Sequence, residues 1–178
     1  AKGYFLSEAR QYFTFLAGTE FSKTAAEEAK QYANEIKVGS IDSIPDKPAF
    51  DVIAAFHVLE HVHKPEIFIQ QTIRRLNSDG HVLFAVPPYS SSWRKLLGKR
   101  WPSWKYPEHV VFFDHKTLPS LMEKAGLVNI ERIPVIYRFT MRTVLEKISL
   151  KSPLFLQGGD FFNTEKRAPK NNTSQDSH

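Results

Sequence analysis

Three side chains that can transfer protons or bind a metal ion lie close together in the sequence: His57, Glu60 and His61. Their H-x-x-E-H spacing is that of a class of zinc peptidases, in which both histidines share one face of a helix and the glutamate acts as base. A helix over these residues is not expected, because the apolar run 52–56 is typical of a buried strand and Pro65 soon begins a new helix. The sequence therefore predicts no metal site.

The residues around this group predict a β-strand, a helix and a second β-strand. Residues 50–57 and 81–86 are apolar enough for strands covered on both faces, and the helix that Pro65 opens carries its apolar side chains on one face. Ligands of open α/β sheets bind beyond the carboxyl ends of the strands. The three polar side chains are therefore predicted to lie at the functional edge of a sheet.

The rest of the chain continues this alternation of helices and strands. The predicted elements are a helix at 3–12, a strand at 13–20, a helix capped by Ser22 or Thr24, a strand at 36–38, a helix that begins at Asp114 or Thr117 and ends at Gly126, and a strand at 128–137. Such alternation predicts an α/β fold with a mainly parallel sheet and helices on both faces. Residues 140–150 predict an amphipathic helix that packs on its own domain, with a membrane or a partner as the alternative.

Composition and charge exclude several classes of function. With 178 residues the chain is long enough to bury a core, and without cysteine it has neither disulfides nor thiolate sites for nucleophilic or zinc chemistry. The net charge of +5 is local, because no acidic residue lies between Asp79 and Glu108, where five lysines and arginines and all three tryptophans occur. No apolar run has the length of a membrane span, and a cytoplasmic location is expected.

Three segments give the chain a family resemblance: FDVI…HVLEHV, SDGHVLFAVPP and PEHVVFFDHKTLPSLMEKAGL. In this order and spacing they resemble the class I S-adenosylmethionine-dependent methyltransferases, in the broad group that acts on small molecules. Residues 3–137 follow the pattern of that family. The resemblance implies a Rossmann-like fold, S-adenosyl-L-methionine as cofactor, and methyl transfer to a small-molecule acceptor.

Glu20 is the strongest cofactor-binding candidate. It ends a predicted strand, where a carboxylate can accept both ribose hydroxyls of a nucleoside, as the acid after the second strand does in dinucleotide-binding folds. Phe21 can pack on the adenine or belong to the core, and both interpretations are equally favoured. The resemblance also places Ser40 and Ile41 near the adenine, with Ser40 standing where relatives often have an acid.

The resemblance assigns roles to the residues that follow the strand 50–57. Phe56 and His57 would lie beside the methionine moiety, largely through their backbone, while Glu60 and His61 would shape the floor of the acceptor site. A structural role for Glu60, as a helix N-cap or a hydrogen-bond acceptor, is an equal alternative.

Gly3 resembles the tail of the glycine-rich turn by which the family approaches the cofactor. The first strand of the family, which precedes that turn, is then missing, and the sheet is open at its centre. This predicts reduced stability and weak cofactor binding, because ladder hydrogen bonds and buried apolar area are lost. A redesigned N-terminus is the alternative.

Residues 89–109 resemble the segment that covers the acceptor in relatives, and this segment is called the lid. Its aromatic rings and cations can hold a planar or anionic acceptor or a phosphate-bearing lipid at a membrane surface; no other feature indicates nucleic acid. Trp101 and Tyr106 are predicted to bind the acceptor. His109 is the candidate general base, since imidazole titrates near neutral pH, with anchoring of the lid as the alternative.

These observations predict an α/β, Rossmann-like methyltransferase domain over residues 1–163, with its first strand missing, and a disordered polar tail at 164–178. The expected reaction is methyl transfer to oxygen, nitrogen or carbon of a small acceptor that is anionic, aromatic or lipid-linked. A non-catalytic, methyltransferase-like binding or scaffold domain is the alternative.

Overall fold

A computed structural model describes residues 2–47, 49–100, 103–135 and 159–166 of the chain. The α-helices are α1 (Tyr4–Ala9), α2 (Lys23–Ala29), α3 (Pro65–Arg75), α4 (Ser92–Leu97) and α5 (Thr117–Lys124). The β-strands are β1 (Ala17–Glu20), β2 (Glu35–Val38), β3 (Phe50–Phe56), β4 (Leu76–Val86), β5 (Leu127–Val135) and β6 (Gly159–Lys166). Short 3₁₀-helical turns span Lys30–Tyr32, Ile41–Ser43, Leu59–His61 and Gly98–Arg100.

The chain divides into two compact units, residues 1–47 and 48–178. The first unit contains a parallel sheet of β1 and β2, in which Glu20 lies opposite Val38. The second unit contains a four-stranded sheet in the order β3-β4-β6-β5, with β3 parallel to β4 and β6 antiparallel to both of its neighbours. Parallel strands joined by helices confirm the predicted α/β fold. Within the described ranges, no helix combines the length and the apolar character needed to cross a membrane.

In the first unit, the α2 helix begins at a side-chain cap. The Ser22 hydroxyl accepts a hydrogen bond from the Ala25 amide at 3.3 Å, which satisfies one of the amide groups that a helix leaves without a partner at its start. Of the two predicted caps, Ser22 is therefore the one used. Gly3 precedes α1 with a φ of 84°, and a Cβ there would lie 2.9 Å from Cδ2 of Tyr32. Packing within this unit thus requires glycine at position 3.

The core of the second unit forms where α3 and α5 supply apolar side chains that pack with those of the sheet. Pro65 occupies the first turn of α3, where its missing amide costs nothing, and Ile69 is fully buried from that helix. The buried cluster comprises Ala55, Leu59, Ile69, Leu76, Val82, Phe84, Val86, Phe113, Leu118, Met122, Leu127 and Phe162. Leu59 belongs to this cluster, so the turn that carries Glu60 and His61 is fixed to the core.

The β4 strand begins earlier than the sequence predicts. It starts at Leu76, directly after α3, whereas the prediction began at position 81. Phe50 lies opposite Leu76 but Val52 lies opposite His81, so residues 77–80 form an irregular excursion on β4. The side-chain amide of Asn77 donates to the carboxylate of Asp51 at 2.8 Å across this irregularity. The turn-forming residues N-S-D-G are therefore accommodated as a bulge within the strand.

The β6 strand corrects the predicted boundary of the polar tail. Residues 164–166, assigned to a disordered tail that begins at 164, belong to β6 and pair with β4 and β5. Thr164 is fully buried, and its hydroxyl donates to the Val128 carbonyl at 2.6 Å. The polar composition of this segment concealed a strand whose side chains at Phe162 and Thr164 are buried. The predicted helix at 140–150 and residues 167–178 lie outside the described residues.

Replacing Asp114 should destabilise the start of α5. Its Oδ1 accepts hydrogen bonds from the Lys116 and Thr117 amides at 2.9 and 2.8 Å, and these bonds lower the pKa of the carboxyl group. Asp114→Ala should reduce the free energy of unfolding by about 0.5–1 kcal/mol near neutral pH, the lower part of the range for such caps because the site is partly exposed. Urea denaturation of both proteins would measure this difference.

The same difference should depend on pH. Because the pKa of Asp114 is lower in the folded protein, the carboxylate stabilises the fold above its unfolded pKa, and this contribution disappears as the pH falls through the folded value. The gap between wild type and Asp114→Ala should therefore narrow below about pH 4. A gap that stays constant down to pH 2 would show that the charged hydrogen bonds are not its source.

Candidate functional site

In the first unit, Glu20 lies at the carboxyl end of β1, as predicted. The Gly39 amide donates to the Glu20 carbonyl at 3.0 Å, so the turn after β2 lies beside this carboxylate-bearing residue. The Glu20 Oε1 atom accepts a hydrogen bond from the Ser22 amide at 2.9 Å, which orients the side chain. A strand-end carboxylate is thus held next to a glycine turn, the arrangement that suits binding of a ribose.

The other predicted residues of this edge differ in exposure. Phe21 is 76% exposed, which excludes the core interpretation of its ring. The Ser40 hydroxyl accepts from the Asp42 amide at 3.3 Å and donates to the Asp42 carboxylate at 3.1 Å, so it caps the turn Ile41–Ser43. The side chain of Ile41 is nearly buried, which leaves its backbone as the group that can meet a ligand. Contact of these residues with adenine stays a prediction.

In the second unit, the end of β3 places Phe56 and His57 beside β4. Phe56 lies opposite Ala85, and the His57 amide donates to the Ala85 carbonyl at 2.9 Å. His57 has a φ of 55°, a left-handed backbone conformation that is uncommon for residues other than glycine. Such strain often marks functional sites, and here it turns the chain sharply from β3 into the turn that carries Glu60.

Glu60 is fixed at the centre of a small polar cluster. Its carbonyl accepts hydrogen bonds from the Val110 and Val111 amides at 2.8 and 3.2 Å, which join this turn to the segment that follows the lid. Its side chain is 2% exposed, and Oε1 lies 3.2 Å from Nδ1 of His57. The N-cap of α3 is Lys64, without a side-chain hydrogen bond. Of the alternatives for Glu60, the N-cap is therefore wrong, whereas a hydrogen-bonding role agrees with its contact to His57.

Two further histidines lie beside Glu60. The rings of His61 and His109 meet edge to face with their centroids 4.7 Å apart, and His61 Nδ1 lies 2.8 Å from the Glu108 carbonyl. One ligand atom from each of Glu60, His61 and His109 falls within 4.8 Å of the others. As predicted, the residues of the H-x-x-E-H pattern do not form the helix of a zinc peptidase. Two of them, Glu60 and His61, instead lie close to His109, which is outside the pattern.

Burial sets the protonation state of His109. The side chain is only 4% exposed, and this burial lowers the pKa of its imidazole, although the nearby charge of Glu60 opposes the shift. The imidazole is therefore neutral at neutral pH. Among the residues that the structure describes, neither His109 Nδ1 nor Glu60 Oε2 has a hydrogen-bond partner, although both atoms are buried. The predicted role of His109 as general base stays a prediction.

Side chains of the lid and of the segment that follows it form an aromatic group that the sequence did not single out. The Trp104 ring stacks on Phe112 with centroids 5.2 Å apart, and Tyr89 contacts the same Phe112 ring at 5.3 Å. The Arg94 guanidinium lies 3.9 Å from the centroid of the Tyr89 ring and also donates to its hydroxyl. These contacts define the aromatic cluster, which consists of Tyr89, Arg94, Trp104 and Phe112. Tyr106, which is 81% exposed, is not part of it.

A signal for this cluster was present in the segment VVFF. Neighbouring side chains of an extended chain point to opposite sides, so one of two adjacent phenylalanines is expected in the core and the other outside it. Phe113 is 4% exposed and belongs to the core, while Phe112 meets the aromatic cluster. Trp101, one of the predicted acceptor-binding residues, lies outside the described residues.

Comparison with solved structures identifies proteins of the same fold. An S-adenosylmethionine-dependent methyltransferase of Thermotoga maritima, described as a possible histamine N-methyltransferase, is 19% identical with a TM-score of 0.64, over 85% of this chain and 72% of that one. One of Archaeoglobus fulgidus is 16% identical with a TM-score of 0.67, over 93% and 82%. A Haemonchus contortus phosphoethanolamine N-methyltransferase, in complex with S-adenosylhomocysteine, is 14% identical with a TM-score of 0.58, over 90% and 46%.

These similarities confirm the Rossmann-like fold that the sequence predicts. No protein of curated function matches the chain. The sequence pattern of one family, however, covers residues 1–132, which include the strand-end carboxylate of the first unit and the polar and aromatic clusters of the second. The chain belongs to the methyltransferase domain family.

Proposed function

We propose that the chain binds S-adenosyl-L-methionine and transfers its methyl group to a small-molecule acceptor. The observation that carries this proposal is the position of Glu20, whose carboxylate is oriented by the Ser22 amide at the end of β1, beside the turn after β2. A carboxylate there can accept hydrogen bonds from both hydroxyls of a ribose. Membership of the methyltransferase domain family supports this cofactor over other nucleosides.

The first unit would hold the nucleoside part of the cofactor. Glu20 would bind the ribose, and the exposed ring of Phe21 would cover the adenine, with which aromatic rings stack favourably. The Ile41 backbone would meet the adenine edge, while Ser40 keeps that turn in place through Asp42. Gly3, which packing already requires, is the proposed approach point for the methionine part.

Phe56 and His57 are proposed to meet the methionine part through their backbone groups. The cofactor, when bound, supplies a methyl group that its sulfonium charge has already activated. The chain therefore needs no covalent nucleophile, and its main task is to align the acceptor with that methyl group. Alignment of two reactants can lower the reaction barrier by about 7–11 kcal/mol. A general base typically increases the rate about 10²–10⁴-fold, which is a smaller effect.

The aromatic cluster is the proposed acceptor platform. Its stacked rings favour a planar acceptor, and Arg94, together with the other cations of the lid, favours a negative charge on it. Tyr106 would extend this surface, while Glu60 and His61 would form its floor. An anionic aromatic compound therefore fits best, and a phosphate-bearing lipid headgroup is the second candidate.

His109 is the proposed catalytic residue within the floor of this site. Its buried Nδ1 has no partner among the described residues, so its lone pair would accept the hydrogen of an acceptor hydroxyl. Such a contact would orient the acceptor oxygen toward the methyl group. Alignment by this hydrogen bond agrees with the dominance of positioning in methyl transfer.

Calorimetric titration with S-adenosylhomocysteine tests the cofactor assignment. We expect saturable binding of one equivalent and no binding of NAD⁺, which shares the ribose but not the methionine part. Turnover would then be measured with S-adenosyl-L-methionine and a panel of planar anionic acceptors. A folded chain that binds the cofactor but methylates none of a broad panel would favour the scaffold alternative. A folded chain that does not bind S-adenosylhomocysteine would contradict the proposal.

A further inference from the structure

The cluster of Glu60, His61 and His109 has the composition of a metal site. Each residue offers one ligand atom, and these atoms lie within 4.8 Å of one another. Ligands of a tetrahedral zinc ion, bound at about 2.0–2.2 Å, are separated by roughly 3.3–3.5 Å, so modest side-chain rotations would bring this set to bonding distance. We propose that Glu60, His61 and His109 bind a divalent transition-metal ion, for which zinc is the best match.

Two buried atoms without partners support this site. Within the described part of the chain, Glu60 Oε2 and His109 Nδ1 make no hydrogen bond, and their residues are only 2% and 4% exposed. Buried polar atoms almost always find a partner, because an unsatisfied one loses its hydration without compensation. A cation coordinated by both atoms would satisfy them together.

The surroundings of both histidines leave one ring nitrogen of each for an ion. His61 Nδ1 lies 2.8 Å from the Glu108 carbonyl, which can only accept, so Nδ1 carries a proton and Nε2 is the nitrogen left to bind a metal. In His109, Nδ1 is buried and has no hydrogen-bond partner within the described residues, so this nitrogen can bind the ion. Metal-binding histidines typically donate their second ring N–H to a carbonyl or carboxylate in this way.

The backbone holds the three ligands together before any ion is bound. Glu60 and His61 are adjacent in one 3₁₀-helical turn, and the Val110 and Val111 amides both donate to the Glu60 carbonyl. This pairing brings His109 to Glu60 although the two residues are distant in sequence. The other Glu60 oxygen, Oε1, contacts His57 Nδ1 at 3.2 Å, which orients the carboxylate from outside the site.

The ligand types indicate which ion the site prefers. Two neutral imidazoles and one carboxylate favour zinc and its neighbours in the first transition row over magnesium or calcium, which prefer oxygen ligands alone. Three protein ligands leave at least one coordination position open. In zinc proteins that position binds water or a substrate oxygen, whose pKa the ion lowers.

An open position has a consequence for the acceptor, which rests on the proposed methyl transfer. A hydroxyl or carboxylate oxygen of the acceptor would bind the ion, so the acceptor class would be oxygen nucleophiles rather than amines. The ion would also occupy Nδ1 of His109, which would then bind the metal in place of the acceptor hydroxyl.

Zinc binding by the chelator-treated chain tests the site. We expect one equivalent of Zn²⁺ by calorimetric titration, and at least a tenfold loss of affinity in Glu60→Gln, His61→Gln and His109→Gln, because even outer-shell partners of metal ligands typically contribute about 10–100-fold. His63→Gln is the matched control: His63 is exposed, lies two residues from His61, and is outside the cluster, so its zinc affinity should equal that of the wild type.

Zinc-edge absorption spectroscopy of the loaded wild type provides a measurement that does not depend on the folding of variants. Two imidazoles and a light-atom ligand at about 2.0–2.2 Å are expected. Absence of stoichiometric binding, or equal affinity in all three glutamine variants and the control, would overturn the site. Titration with S-adenosylhomocysteine in the presence of chelator tests cofactor binding without any metal. Failure of the metal site would therefore not contradict the cofactor proposal, and failure of cofactor binding would not contradict the metal site.

Discussion

Glu20→Ala should weaken S-adenosylhomocysteine binding by tenfold or more, on the order of 1.4 kcal/mol or above. The reason is the loss of a charged acceptor for two ribose hydroxyls, since hydrogen bonds to charged groups contribute about 1.5–3 kcal/mol each. Glu20 is suited to this contact because its Oε1 accepts a hydrogen bond from the Ser22 amide at 2.9 Å. The side chain is therefore already oriented, and little conformational freedom is lost on binding. Calorimetric titration of both proteins would measure the difference.

Two further variants separate the ribose contact from a structural role of Glu20. Glu20→Gln keeps an oxygen for the Ser22 amide and removes only the charge, so it should retain the fold of α2 and still lose affinity. Glu35→Ala removes a carboxylate from the opposite end of the same two-stranded sheet, where β2 begins, and should bind like the wild type. Equal affinity of wild type and a folded Glu20→Ala protein would remove Glu20 from the site.

The strand ends of the site were predictable because they depend on local sequence. Glu20 and His57 come at the ends of apolar segments that are typical of strands, and in the structure β1 ends at Glu20 and β3 ends at Phe56, one residue before His57. The start of β1 was less predictable: residues 13–16 are as apolar as a strand, yet β1 begins at Ala17. Apolar content alone does not show where a neighbouring strand begins to pair.

The cluster of Glu60, His61 and His109 was not predictable, because its geometry depends on contacts distant in sequence. The pattern H-x-x-E-H directs attention to His57 as a ligand, whereas the structure makes His57 a partner of Glu60 Oε1 and brings in His109. The amides of Val110 and Val111 produce this arrangement, and no local pattern encodes their pairing with the Glu60 carbonyl. Sequence reasoning therefore found the chemical groups but not their grouping.

The β6 strand shows the same limit for the fold. Phe162 and Thr164 lie two residues apart, the period of one face of a strand, but the charged residues Glu165, Lys166 and Arg167 suggested a solvated tail. Pairing with β4 and β5 on its two sides makes the strand favourable, because both neighbours satisfy its backbone groups. This position between β4 and β5 results from pairing with residues distant in sequence, so the local sequence of β6 does not indicate it.

Ile69→Ala should destabilise the second unit by about 2–5 kcal/mol. Ile69 is fully buried in the core cluster, so the substitution removes apolar contacts and leaves a cavity that the packed neighbours fill only in part. This is a large share of the roughly 5–15 kcal/mol that stabilises a typical domain. Urea denaturation followed by tryptophan fluorescence would measure it, since all three tryptophans lie in the second unit.

Ile67→Ala is the matched control for this prediction. Ile67 lies in the same helix, two residues away, and is 42% exposed. The change of helix propensity from isoleucine to alanine is the same at both positions, so the difference between the two variants reports burial alone. Ile67→Ala should therefore change the free energy of unfolding by less than about 1 kcal/mol, as is usual for exposed positions. Equal losses in the two variants would contradict the burial of Ile69 and, with it, the packing that fixes α3 in the core.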